Sequence, residues 1–189
     1  MKPIIFSIKM VRAILNERKT QMRRVMNPQP QRGKREGWWY YESYSWSDEC
    51  MDNGETPWNL DIEYFARYKV GDVLWVREYY HPLSDDIAIY EVAETPLKHH
   101  DSIEWYYPLF MPKRYARLFL RVTNVRCERL HEMTLEDLLA EGAEATSNGL
   151  AFGGLCFGEF WDRINGKKHP WESNPFVWVY EFERVKFNN

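Results

Sequence analysis

Lys2–Pro30, KPIIFSIKMVRAILNERKTQMRRVMNPQP, decides how this chain is read. Lys2–Phe6 is short and apolar enough for a strand. Ser7 offers a side-chain oxygen as N-cap to a helix over Ile8–Glu17, where Ile8, Val11, Ile14 and Leu15 fall on one face. Thr20–Met26 then reads as extended, and Pro28 and Pro30 stop it. Residues 1–35 carry ten Lys and Arg against one acid, Glu17, a local charge of about +9 in a chain whose formal net charge is -3. The remainder is strongly acidic, an asymmetry that points to an anionic ligand. Because Arg18-Lys19-Thr20-Gln21-Met22-Arg23-Arg24 follows an amphipathic helix directly, its cations sit on a structured segment and not on a loose tail.

Outward from this segment the chain alternates between clear elements and irregular ones. Lys69-Val70-Gly71-Asp72 is a turn that launches the strand Val73–Glu78. Arg117–Arg129 is the longest strand candidate, with Leu118, Leu120 and Val122 alternating against Phe119, Arg121 and Thr123. Thr134 caps a helix over Leu135–Glu141 that Gly142 ends. A Gly-rich loop over 149–158 is either a lid or a plain connector; it lacks the Gly-Lys-Ser/Thr of a phosphate loop. Phe157, Phe160, Trp161 and Ile164 mark a short helix, and Phe176–Phe187 alternates as a final strand. Two stretches lack a period: 31–60, rich in Trp, Tyr and acids, and 81–113, broken by four prolines. Both read as insertions in one domain spanning 1–189, and the first has room for a hairpin of its own.

Strands interrupted by short helices, without regular β-α-β alternation, exclude a doubly wound parallel sheet. The expected class is α+β, a small mixed β-barrel with flanking short helices. With 189 residues, one core is expected rather than two. Nine Trp and twelve Tyr exceed what such a core needs, so some rings are expected in a groove or at an interface. Three Cys, with no Cys-x-x-Cys pair, argue against a disulfide framework or cysteine zinc site, and the five His show no metal-ligand spacing. No metal or cofactor is expected. Nothing resembles a signal peptide or a membrane span, so the cytosol is the expected compartment.

Four segments taken together, Lys2–Pro30, Val70–Glu78 (VGDVLWVRE), Leu130–Gly142 (LHEMTLEDLLAEG) and Phe160–Phe182 (FWDRINGKKHPWESNPFVWVYEF), resemble the ASCH domain, a relative of the PUA fold, and in particular its long phage and prophage members. The resemblance implies a PUA-like barrel of about five or six strands with a cleft for RNA or a nucleobase. Some small members look like amidohydrolases that deacylate N4-acylcytidine, with a Lys and a Thr in Lys-x-x-Thr spacing and a Glu from the later helical region. Others have been proposed as ribonucleases, and phage members often carry a morphogenesis label. Carried across, the Lys corresponds to Lys19, the trailing Arg to Arg24 and the Glu to Glu141. The hydroxyl position falls on Met22, a departure from the hydrolase pattern. Thr20 shares a face with Met22 on an extended segment and is the stand-in.

The residues allow two uses of one basic cleft. In the first, Lys19, desolvated, polarises a carbonyl or acts as a base while Glu141 passes a proton to a leaving amine; Lys19 is otherwise an exposed cation on phosphate. In the second, the cleft only binds. Arg23 and Arg24 face opposite sides of a strand, one toward ligand and one toward an acid such as Glu78 or Glu141. Trp75 and Arg77 share a face of the central strand. Glu78, on the other, needs a cation, for which the first basic segment is the expected source. Tyr115 and Arg117 stack on or clamp a base. The alternatives are a ribonuclease using a divalent ion held by Asp85, Asp86, Asp101 and Glu104, and a phage protein whose aromatic insertions contact a phage or host partner.

Overall fold

The computed structural model describes residues 1–32, 38–41, 44–47, 65–92, 103–146, 149–152 and 154–186. The class is α+β. One five-stranded mixed sheet runs in the order β1 (Lys2–Ile5), β6 (Val73–Arg77), β9 (Phe119–Arg129), β12 (Phe176–Val185), β2 (Gln21–Val25). Only β1 and β6 are parallel. The expected barrel closure is not seen among the described residues, because no ladder joins edge strand β1 to edge strand β2. Instead α1 (Ile8–Leu15) connects them and buries Val11 and Ile14 in the core cluster that takes in Ile4, Phe6 and Met22. The Arg24 guanidinium also crosses the gap, donating to the Ile5 carbonyl at 3.3 Å.

The sheet is covered on both faces. Trp178, Tyr180 and Phe182 of β12 pack with Leu74, Leu120 and Met22 on one side. Val177 and Val179 pack on the other with Phe157 and Trp161 of α3 (Phe157–Asn165). A strand buried on both faces reads as a continuous apolar run, as Phe176–Tyr180 does. In β9 the inward residues are Leu120 and Val122, then Val125 and Cys127, so the alternation changes phase. The pairing with β12 slips there, with Phe182 opposite Val122 and Glu181 opposite Asn124, which leaves Thr123 as the extra residue of a bulge.

The two stretches expected to be irregular contain short strands. Within the first, β3 (Gln31–Arg32), β4 (Trp38–Tyr41) and β5 (Tyr44–Ser47) form a three-stranded sheet. Trp58 and all the acids of that stretch lie outside the described residues. Within the second, β7 (Tyr80–Pro82) pairs with β8 (Ala88–Tyr90). This hairpin covers a third cluster built from Trp75, Tyr80, Met111, Tyr115 and Phe119. After α2 (Leu135–Ala140), β10 (Glu144–Thr146) and β11 (Gly149–Ala151) make a hairpin that takes up the start of the Gly-rich stretch. Pairs of two or three residues carry too little alternation to be read from sequence. Among the described residues no helix is long and apolar enough to cross a membrane.

Candidate functional site

Residues 19 and 20 leave α1 and run against the end of α2. The Thr20 amide donates to the Ala140 carbonyl at 2.8 Å, and Lys19 and Glu141 form an isolated antiparallel bridge. This backbone bridge places the Lys19 ammonium 2.7 Å from Glu141 Oε2, with further donations to the Glu141 carbonyl at 2.9 Å and the Gln21 carbonyl at 2.8 Å. The Lys19 side chain is fully buried, so it is not the exposed phosphate cation of the alternative reading. Burial holds its pKa below the usual lysine range, opposed by Glu141 and reinforced by Arg24 and Arg23. Thr20 is exposed whereas Met22 is buried, so the two do not share a surface. Thr20 lies just before β2, its amide bonded to the end of α2 and its carbonyl accepting from the Phe182 amide of β12 at 2.8 Å.

Arg23 and Arg24 diverge from this point. Arg23 enters a network on the α2 side of the sheet: its guanidinium meets Glu128 at 2.5 Å, Asp137 at 3.2 Å and Glu141 at 3.3 Å, and donates to the Gln21 side-chain carbonyl at 2.6 Å. Arg126 adds Glu128 at 3.0 Å, Asp137 at 2.7 Å, and Glu181. Burial alone would raise the Asp137 pKa. The Thr134 amide, the Gln21 amide and the Arg23 guanidinium outweigh it and hold the carboxyl well below the usual range. Three cations facing four carboxylates, with their hydrogen bonds made, lock α2 to the sheet and leave Arg23 no free valence for a ligand.

Arg24 faces the other way, into a cavity of about 340 Å³ walled by rings from Tyr41, Phe65, Tyr68, Trp178 and Tyr180, with Arg67 as its second cation. The β2–β12 register makes the wall, since Arg24 lies opposite Trp178 and Met22 opposite Tyr180. Among the described residues no carboxylate lines this cavity. Burial lowers the Arg24 pKa and pushes the Tyr180 phenol up to about 12. Phe6 links the two halves of the basic segment: the Lys19 ammonium is 5.8 Å and the Arg24 guanidinium carbon 5.9 Å from its ring centroid. A smaller cavity of about 170 Å³ reaches Glu141 from the outside, between α1 and Phe152 and Phe160.

The other expected site residues lie elsewhere. Glu78 is buried, but its partner is Arg117, bidentate at 2.9 and 2.7 Å, rather than a cation of the first basic segment. Burial raises the Glu78 pKa and Arg117 opposes the rise. Arg117 also stacks over Tyr90 at 4.0 Å and donates to the Val92 carbonyl, which commits it to the fold. Tyr115 is buried in the third cluster and donates to the Ser84 carbonyl at 2.8 Å, so it offers no face to a base. Trp75 is buried, with Arg77 over its ring at 4.8 Å. Arg77 is half-buried, donates to the Leu109 carbonyl at 2.9 Å, and leaves its Nε without a partner. Sequence reasoning thus brought together Lys19, Glu141 and Arg23, and missed the aromatic wall facing Arg24. Phe65-Ala66-Arg67-Tyr68, an aromatic-basic run just before the Gly71 turn, was the signal for it.

Among the described residues, no group of three or more His, Cys, Asp or Glu side chains is arranged to hold a metal ion. Asp101 lies outside the described residues, and Asp85 and Asp86 sit near Arg114. Compared with family models, curated proteins and solved structures, the chain matches none.

Proposed function

We propose that this chain is an ASCH-type, PUA-like domain of the cytosol that binds a nucleobase, free or within RNA, in the cavity faced by Arg24. One observation carries the reading: a cavity of about 340 Å³ walled by five aromatic rings, with two guanidiniums and, among the described residues, no carboxylate on its lining. The volume falls at the lower end of small-ligand sites. Rings of this kind stack on any base, and guanidinium planes add stacking and hydrogen bonds to base edges or phosphate. The ordered sequence motifs give the family resemblance, and the basic segment supplies the charge.

Calorimetric titration with the four common nucleosides and N4-acetylcytidine tests it. Phe65 is half-buried, so Phe65→Leu removes a stacking face with limited damage to the core. Loss of one base–ring stack weakens binding by about 1–3 kcal/mol. No binding of any nucleoside or short RNA at low salt sinks the proposal.

A second reading, hydrolysis of an N4-acylcytidine-type amide, is favoured by the Lys19–Glu141 contact beside the smaller cavity. Lys19 already makes three hydrogen bonds, so turnover requires this pair to open toward substrate. Turnover of N4-acetylcytidine that disappears in Lys19→Ala supports the enzyme. Gain of turnover only in Met22→Thr means a pocket that binds without reacting.

A further inference from the structure

We infer that the ligand of the aromatic cavity carries a phosphate, held by Arg24 and Arg67 while its base lies among the rings. The inference rests on the nucleobase-binding reading above and narrows it from a neutral nucleoside to a nucleotide. The geometry supplies two guanidiniums on one cavity lining, with no acid on it among the described residues. Arg67 is exposed, its guanidinium carbon 5.5 Å from the Tyr68 ring centroid. Arg24 is half-buried and makes one hydrogen bond, a 3.3 Å donation to the Ile5 carbonyl. Among the described residues neither guanidinium is ion-paired. The acid that acts on Arg24, Glu141, is already engaged by Lys19 and Arg23.

This arrangement contrasts with three other half-buried or buried arginines around the sheet. Arg23, Arg117 and Arg126 are each matched to a carboxylate. Arg24 and Arg67 are close enough that Arg67 lowers the pKa of Arg24. Two like charges brought to one cavity, with no counter-ion among the described residues, repel each other, and an anion seated between them relieves that repulsion. A guanidinium presents paired N–H donors that match phosphate oxygens, and the surrounding rings exclude part of the water that would screen the contact.

The test compares each common nucleoside with its 5′-monophosphate by calorimetry, using wild type and Arg67→Gln. Arg67 is exposed, so its replacement leaves the core intact; Arg24→Gln is the second variant. The expected result is that a monophosphate binds at least tenfold tighter than its nucleoside. That advantage should fall several-fold in either variant, the monophosphate losing more affinity than the nucleoside, and it should shrink as salt rises. Equal affinity of nucleoside and monophosphate overturns the inference and leaves the nucleobase reading standing; no binding of either overturns both. A tetranucleotide RNA with and without a 5′-phosphate separates the sources. A phosphorylated oligonucleotide that binds tenfold tighter than the free monophosphate supports an RNA end as the ligand, and equal affinity supports a free nucleotide. An advantage that persists unchanged in both arginine variants overturns the inference.

Discussion

The Lys19 ammonium and the Glu141 carboxylate meet at 2.7 Å inside the protein, on a backbone bridge between the same two residues. The pair therefore fixes where β2 begins and where α2 ends, whatever chemistry it also performs. Removing one partner of a buried pair leaves the other uncompensated, which costs about 3–5 kcal/mol. Glu141→Gln should lower the unfolding free energy by an amount in that range, read from the shift of the urea midpoint. Lys19→Met combined with Glu141→Leu should recover much of it. A single variant as stable as wild type would show that the contact does not form in solution.

The Asp137 network makes a second prediction, on pH. The folded-state pKa of Asp137 lies below its unfolded value, so the folded protein holds the carboxylate more tightly than the unfolded chain does. Its contribution is complete above about pH 5 and is lost as pH falls through the ordinary Asp range near 4 toward the depressed folded value. Urea midpoints should drop steeply over that window. Asp137→Asn should start lower at neutral pH and flatten the slope; an unchanged slope would place the acid transition on other carboxylates.

Gly142 gives a third. Its φ of +95° is one that L side chains rarely adopt, and a Cβ there would stand 3.0 Å from Ala13 Cβ and 3.2 Å from Lys19 Cβ. Ala13 belongs to a helix and cannot yield as a flexible side chain would. Gly142→Ala should cost about 1–3 kcal/mol from the backbone alone, with the clash added. Thermal unfolding with no downward shift would refute the close approach.

Much of the frame was legible because its elements are periodic. Ser7 and the apolar face of Ile8, Val11 and Ile14 announced α1, and the alternation over Phe176–Phe187 announced the final strand, though not its cover on both faces. What was not legible depends on partners distant in sequence. The bulge at Thr123 exists only through the register of β9 on β12. The pairing of Glu78 with Arg117 and the facing of Arg24 with Trp178 are set by strand order, which local sequence does not encode. Lys19 with Glu141 could be named in advance because a family resemblance supplied the long-range pairing.

The thiols offer a fourth prediction. Cys127 is buried against Met26, with Sγ–Sδ at 3.0 Å, and burial pushes its pKa well up, so it is neither accessible nor ionised. Cys156 is exposed at the start of α3. In a Cys50→Ser background, maleimide should add once to the native protein, at Cys156, and a second time only in denaturant. Labelling of Cys127 at the same rate as Cys156 would mean the core cluster around β9 opens readily.

Glu78 and Arg117 give the last prediction, in which the pH dependence runs opposite to that of Asp137. Burial already raises the Glu78 pKa, and Arg117 is the group that restrains the rise. In Arg117→Met the carboxyl keeps its burial and loses its two hydrogen bonds, so its folded pKa climbs further above the unfolded value. A raised carboxyl contributes stability below the unfolded pKa and loses it as pH rises through the folded one. The variant should therefore be destabilised by about 3–5 kcal/mol where Glu78 is charged and unpaired, and by less at pH 5 than at pH 7, because lower pH favours the neutral carboxyl. Wild type should show a smaller change over the same interval. Adding Glu78→Leu to Arg117→Met removes the orphaned charge and should restore stability and erase the pH dependence together. If the single variant instead loses stability equally at both pH values, the loss comes from the Tyr90 stack and the Val92 contact of Arg117, not from the ion pair.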